Sequence, residues 1–235
     1  METSEVLEKL KDSGSESIKK VLLKHGAREP LFGVKVENLK KIQRLEKGNN
    51  ALALALFDTG NYDAMYLAGL IADGSRMTPG EIDRWAQTAY GGAIGEYTVP
   101  WVAAENKEGY SLALSWIGSP VENIAVTGWA TLSSIVSVWP DQDLDTAGLS
   151  ALLTTVEKDI SQAPGPIKLV MNGFVIAAGS YVLSLYDRSL MVAGKIGRID
   201  VTRNGKACKV PLAAEYITKI CKMGRTGRKR ATAKC

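Results

Sequence analysis

The 235-residue chain has a single histidine and three cysteines, and both shortages exclude chemistry. A Ser-His-Asp triad would have to use His25, and no G-x-S-x-G turn accompanies it. His25 stands before Gly26 at a basic helix end, where an imidazole complements the helix dipole. Cys208, Cys221 and Cys235 lie thirteen and fourteen residues apart with no histidine nearby, a poor zinc set. Their odd count, with no apolar signal segment in METSEVLEKL, argues against a disulfide framework and for a reducing, cytoplasmic setting. Walker A, G-x-G-x-x-G and C-x-x-C sequences are all missing. Gly91-Gly92-Ala93-Ile94-Gly95 is glycine-rich but lacks the Lys-Ser/Thr of a phosphate loop, so it reads as a plain loop. No cofactor and no metal is expected. Long apolar runs are also missing. The most apolar stretch, 169–186, is interrupted by Asn172, Gly173, Gly179 and Ser180, which suits buried helices better than a membrane span.

What is present is an uneven charge. Residues 195–235 hold twelve Lys and Arg against two acids, a net +10, and residues 1–50 hold eleven against eight, a net +3. The intervening 144 residues therefore carry −9 of the overall +4. The basic charge lies at the two ends. A segment with Arg225, Arg228, Lys229, Arg230 and Lys234 is an electrostatic footprint for a polyanion, or else a solubilising tail.

Helical periodicity runs through almost the whole chain. Apolar spacing predicts helices over 4–10, 16–25 with Ser15 as N-cap, 36–42, 51–57 after Asn49-Asn50, and 62–72. Thr78-Pro79-Gly80-Glu81 is a start signal with a capping box and proline in the first turn, opening a helix to about residue 89. Ser119-Pro120-Val121-Glu122 repeats that signature for a helix over 120–138. Further helices are predicted over 96–104, 107–117, 145–160, 165–178, 180–193 and from Pro211 to 223. Pro100 weakens the first of these unless it lies in the first turn. Residues 199–202 and 207–210 around Asn204-Gly205 read as two short strands joined by a turn. Helices of this length with short joints predict an all-α, α-solenoid fold in one domain over 1–223, followed by a basic flexible tail over 224–235. The aromatics cluster in the middle, where Trp85, Tyr90, Tyr97, Trp101, Tyr110, Trp116, Trp129, Trp139, Tyr181 and Tyr186 either pack helices or stack on bases.

Leu31-Phe32-Gly33-Val34-Lys35-Val36-Glu37-Asn38-Leu39-Lys40-Lys41-Ile42 resembles the opening signature of AlkD-type DNA alkylation repair proteins. Ala207 to Pro211, then Glu215-Tyr216-Ile217 and the Gly-Arg-Thr-Gly-Arg-Lys-Arg run, is similar to the C-terminal block of one branch of that family. The resemblance implies a HEAT-like solenoid that cradles duplex DNA. Active members hydrolyse the glycosidic bond of N3- and N7-alkylated purines with an Asp from a Trp-Asp-x-x-Asp helix, two flanking Trp and an Arg. A carboxylate there would stabilise the developing oxocarbenium and place water.

This chain departs from that pattern. The matching helix reads Tyr97-Thr98-Val99-Pro100-Trp101, with Thr98 and Trp101 where the acids belong. Glu96 and Glu105 are the nearest carboxylates and thus the candidate catalytic residues. The later helix matches at Trp116 and Trp129 without the Arg, and the second flanking aromatic falls near Tyr181. Three readings stay open. The first is a glycosylase for alkylated purines using Glu96 or Glu105. The second is a catalytically silent relative that binds duplex DNA through Tyr97, Trp101, Trp116 and Tyr181, through Lys40, Lys41 and Arg44, and through Arg225, Arg228, Lys229 and Arg230. The third is a protein-interaction solenoid whose acidic middle meets a basic partner.

Overall fold

The structure is a computed structural model that describes residues 1–203 and 206–235. The expected Asn204-Gly205 turn lies outside the described residues. Thirteen α-helices are described: α1 Thr3–Asp12, α2 Glu16–Lys24, α3 Val36–Glu46, α4 Asn50–Asp58, α5 Tyr62–Ile71, α6 Pro79–Thr88, α7 Val99–Glu105, α8 Gly109–Ile117, α9 Glu122–Val138, α10 Thr146–Asp159, α11 Gly165–Tyr181, α12 Tyr186–Ile196 and α13 Ala213–Lys222. Two short strands, β1 Val201–Arg203 and β2 Lys206–Cys208, pair antiparallel with Val201 opposite Cys208. The architecture is all-α with a small β-ribbon, as the periodicity predicts.

Local chemistry explains the helix starts. Asn49, Asn61 and Asp145 each accept a first-turn N–H on their side-chain oxygen. Thr78 closes the expected capping box: its Oγ accepts from the Glu81 N–H at 3.2 Å, and Glu81 accepts from the Thr78 N–H at 2.8 Å. Two expected starts differ. The Ser15 side chain makes no cap and pairs with the Ser17 hydroxyl at 2.9 Å. Ser119 accepts the Val121 N–H at 3.2 Å, a local turn that delays α9 to Glu122. Pro100 sits in the first turn of α7. It has no N–H for the carbonyl four residues back, and the chain just before it, Ile94–Thr98, takes a wider π turn.

The chain divides into two compact units, residues 1–112 with Lys234, and residues 113–233 with Cys235, where one domain was expected over 1–223. The first unit packs around α5, in which nine of ten residues are buried. α3, α4 and α7 lie against it. Gly69 of α5 is required by close approach, because a Cβ there would stand 2.5 Å from the Thr98 methyl. The Asp63 carboxylate, 1% exposed, accepts three backbone N–H groups: Phe32 at 2.6 Å, Gly33 at 3.1 Å and Val34 at 2.9 Å. That nest fixes the loop between α2 and α3. Gly33 makes it possible with φ +79, and a Cβ there would meet the Ser15 carbonyl at 2.5 Å.

The second unit packs around α11, which touches α9, α10, α12 and α13. The predicted helix break at Gly179 does not occur. Gly179 is a packing residue whose Cβ would come within 2.9 Å of Ser189 and Ile217 side chains, and the helix continues to Tyr181. Trp129 packs on Phe174, ring centroids 5.4 Å apart. No single helix among the described residues is long and apolar enough to cross a membrane.

Residues 224–235, expected as a flexible tail, are folded against helix ends. Gly224, at φ +63, donates to Cys221 at 2.8 Å, and Arg225 donates to Ile220 at 3.2 Å, which reverses the chain after α13. Gly227 then donates to the Ser180 carbonyl at 2.9 Å and Arg230 to the Ser137 carbonyl at 2.8 Å. Both acceptors lie in the last turns of α11 and α9, where carbonyls lack intrahelical partners. Cationic side chains are favoured at such ends by the dipole. The Lys229 ammonium reaches the Val136 carbonyl at 2.9 Å and Asp141 at 2.7 Å. In the first unit, Lys234 donates to the Ala72 carbonyl at the end of α5 and to Glu105 at 3.0 Å.

Candidate nucleic-acid interface

In the first unit, the helix that resembles the family's catalytic segment is sealed. Thr98 is fully buried and Trp101 is 6% exposed, so the positions of the missing acids face the core. Trp101 packs edge-on against Tyr66 at 5.5 Å and against Tyr97 at 6.0 Å. Tyr97 alone of the pair expected on this helix is half exposed. Trp101 as a base-stacking residue is therefore corrected, because its ring is committed to that packing.

The two candidate carboxylates are not brought together. Glu96 is half-buried in the π turn before α7, and Glu105 ends α7, a helix ~10 Å long at 1.5 Å per residue. One oxygen of Glu105 accepts the Gly74 N–H at 2.9 Å and the Lys234 ammonium at 3.0 Å. Its neighbour Asn106, 4% exposed, donates to the carbonyls of Gly74 and Met77, both at 2.8 Å. Glu105 thus acts as a latch between α7 and the 74–76 turn. On α3, Leu39 and Ile42 face the core while Lys41 and Arg44 are exposed and Lys40 half-buried, leaving a basic outer face.

The second unit holds a different arrangement. Trp116 is 2% exposed and has no face to offer a base, which corrects its assignment as a stacking residue. Tyr181, by contrast, closes α11 at the rim of an open cleft of about 640 Å³. Tyr216 of α13 lines the same cleft, together with Arg225, Arg228, Lys229 and Arg230. Four cations and no acid stand among its lining residues. The chain reversal at Gly224 turns Arg225 and Arg228 back toward α11. Without the tail's folding these charges would not share a site.

Five residues expected from the sequence, Tyr181, Arg225, Arg228, Lys229 and Arg230, are thus gathered here. Lys229, already bound to Asp141 and Val136, is also a structural strut. Sequence reasoning missed Tyr216 and Ser180. Tyr216 carried a signal, since it stands in the C-terminal block next to Glu215. No group of His, Cys, Asp and Glu that could hold a metal occurs among the described residues.

The fold is that of the HEAT-like helical-repeat proteins, here with a cationic, aromatic-lined cleft in the second unit. Comparison with known proteins gives the family. One solved structure superposes over 100% of both chains with a TM-score of 0.92 and 32% sequence identity, and is described as a new family of proteins related to the HEAT-like repeat DNA glycosylases with affinity for branched DNA structures. This chain belongs to that family of glycosylase-related HEAT-like repeat proteins. It is also 29% identical, over 85% of its length and 88% of theirs, to the uncharacterized proteins Lin0241 of Listeria innocua and Lmo0209 of Listeria monocytogenes. No family model matches the chain.

Proposed function

We propose that this protein binds branched DNA and does not hydrolyse the glycosidic bond. The observation that carries this reading is the cleft of the second unit, where Tyr181 and Tyr216 stand beside Arg225, Arg228, Lys229 and Arg230 with no lining acid. Clustered cations gain affinity for phosphates by releasing condensed counterions. The affinity for branched DNA described for the structural relative supports the choice of DNA as ligand. The absence of hydrolysis rests on the first unit. Thr98 and Trp101 are buried where the carboxylates would act, and Glu105 is occupied by Gly74 and Lys234. A carboxylate neutralised by an ammonium is a poor stabiliser of a developing oxocarbenium.

The test is a titration of the purified full chain against a four-way junction and a linear duplex of the same sequence, both carrying N7-methylguanine. Tighter binding to the junction, with free methylated base no higher than in a no-protein control, is the expected result. Base release above that control would overturn the reading and return attention to Glu96.

A further inference from the structure

We infer that the cleft between α11, α13 and the folded tail receives one unpaired nucleotide of a DNA strand, its base against Tyr181 and Tyr216 and its phosphate against Arg225 and Arg228. This rests on the reading that the chain binds DNA, and it specifies which feature of branched DNA is recognised. Two observations carry it.

The first is size. A volume of about 640 Å³ falls among pockets of roughly 300–1,000 Å³ that enclose small organic ligands. A base still paired and stacked in a duplex cannot enter such a space, whereas a nucleotide freed from its partner can.

The second is composition. The wall is split between an aromatic and aliphatic side, with Tyr181, Tyr216, Ile176, Ile220 and Pro211, and a cationic side formed by the tail. A nucleotide is divided in the same way, into a π-face and a phosphate. Tyrosine stacks on any base, because every base has a π-face. The exposed guanidinium groups of Arg225 and Arg228 suit bidentate contact with phosphate oxygens. A free anion would need only the cationic side, and a duplex phosphate would leave the tyrosines unused.

The experiment places 2-aminopurine at an unpaired position of a short DNA flap, and separately within a fully paired arm of the same molecule. The full chain should quench the unpaired probe and leave the paired one unchanged. Tyr216→Ala and Tyr181→Ala should each lose the quenching and weaken flap binding about tenfold, a typical effect of removing one stacking partner. Tyr216→Trp should restore both. Because Tyr216 is 47% exposed, its truncation leaves the core intact, and circular dichroism confirms that the variant is folded. Persistent quenching in both alanine variants, or equal quenching of the paired probe, would overturn the inference while junction binding stands. Failure of the wild-type chain to bind either DNA would remove the DNA-binding reading and this inference with it. A matching single-stranded RNA that displaces the flap at lower concentration would reassign the cleft to RNA.

Discussion

At the residue scale, Asp63 shows how one buried carboxylate organises a segment remote in sequence. It is 1% exposed and accepts N–H groups from Phe32, Gly33 and Val34 across about thirty residues. Hydrogen bonds to a charged acceptor contribute more than neutral ones, and breaking a buried charged network costs several kcal/mol. Asp63→Asn keeps the volume but turns an amide N–H₂ toward backbone donors. It should lower unfolding stability by about 3 kcal/mol, read as a shift in urea midpoint, and an unchanged midpoint would contradict the nest. The motif Leu31 to Ile42 was legible as a family signature. Its reason was not, because the Asp63 carboxylate that organises the loop lies on α5, and the Ser15 carbonyl that excludes a Cβ at Gly33 lies eighteen residues away, so no local pattern announces either.

A second residue-scale expectation concerns alkaline pH. Burial raises the Tyr62 phenol well above the usual tyrosine range, and Tyr90 is pushed up to about 12 by burial, against the opposing Arg28 guanidinium over its ring. In the unfolded chain both phenols ionise near pH 10. Raised folded-state values mean that the stabilisation is complete below pH 10 and is lost as pH climbs through the folded values. The first unit should therefore begin to unfold above pH 10, with tyrosinate absorbance rising together with loss of helical dichroism. Ionisation complete before any loss of helix would contradict the burial.

At the scale of elements, the tail is the instructive case. Composition alone made 224–235 a solvated basic tail, since seven residues of Gly, Arg, Thr and Lys cannot bury a core. The structure folds it because the partners of its backbone N–H groups are not side chains. They are the orphaned carbonyls at the ends of α9 and α11, invisible to any reading of apolar pattern. Lys229→Met should cost about 1–2 kcal/mol by removing charged hydrogen bonds to Val136 and Asp141. Deleting 224–235 should cost more than that, so tail deletion confounds folding with binding, and point substitutions of exposed arginines are the sounder probe. A thermal scan in which Lys229→Met melts like wild type would contradict the strut. Start signals were legible in part. Thr78 and Ser119 carry the same pattern, yet Ser119 bonds to the N–H two residues on and never caps a helix.

At the scale of the whole molecule, the charge split was readable from the first inspection, and it is the folded C-terminal block that makes it specific. The sequence brought five of the cleft's residues to notice and omitted Tyr216 and Ser180, because only the chain reversal after α13 shows what the tail faces. The aromatic clamp expected from the family was less legible. Trp101 and Trp116 read as stacking residues by position, and both are consumed by the core. The acids lost at Thr98 and Trp101, with Glu105 latched by Lys234, are the grounds on which binding rather than hydrolysis is proposed for this fold.

The most direct measurement of that claim is the salt dependence of junction binding by the wild-type chain and by Arg225→Gln/Arg228→Gln. Each phosphate contact contributes roughly 0.7–0.9 to the slope of log K against log salt. Removing two exposed arginines should weaken binding at low salt and reduce the slope by roughly 1.4–1.8. Parallel lines of equal affinity for the two proteins would mean that the C-terminal cleft does not contact DNA.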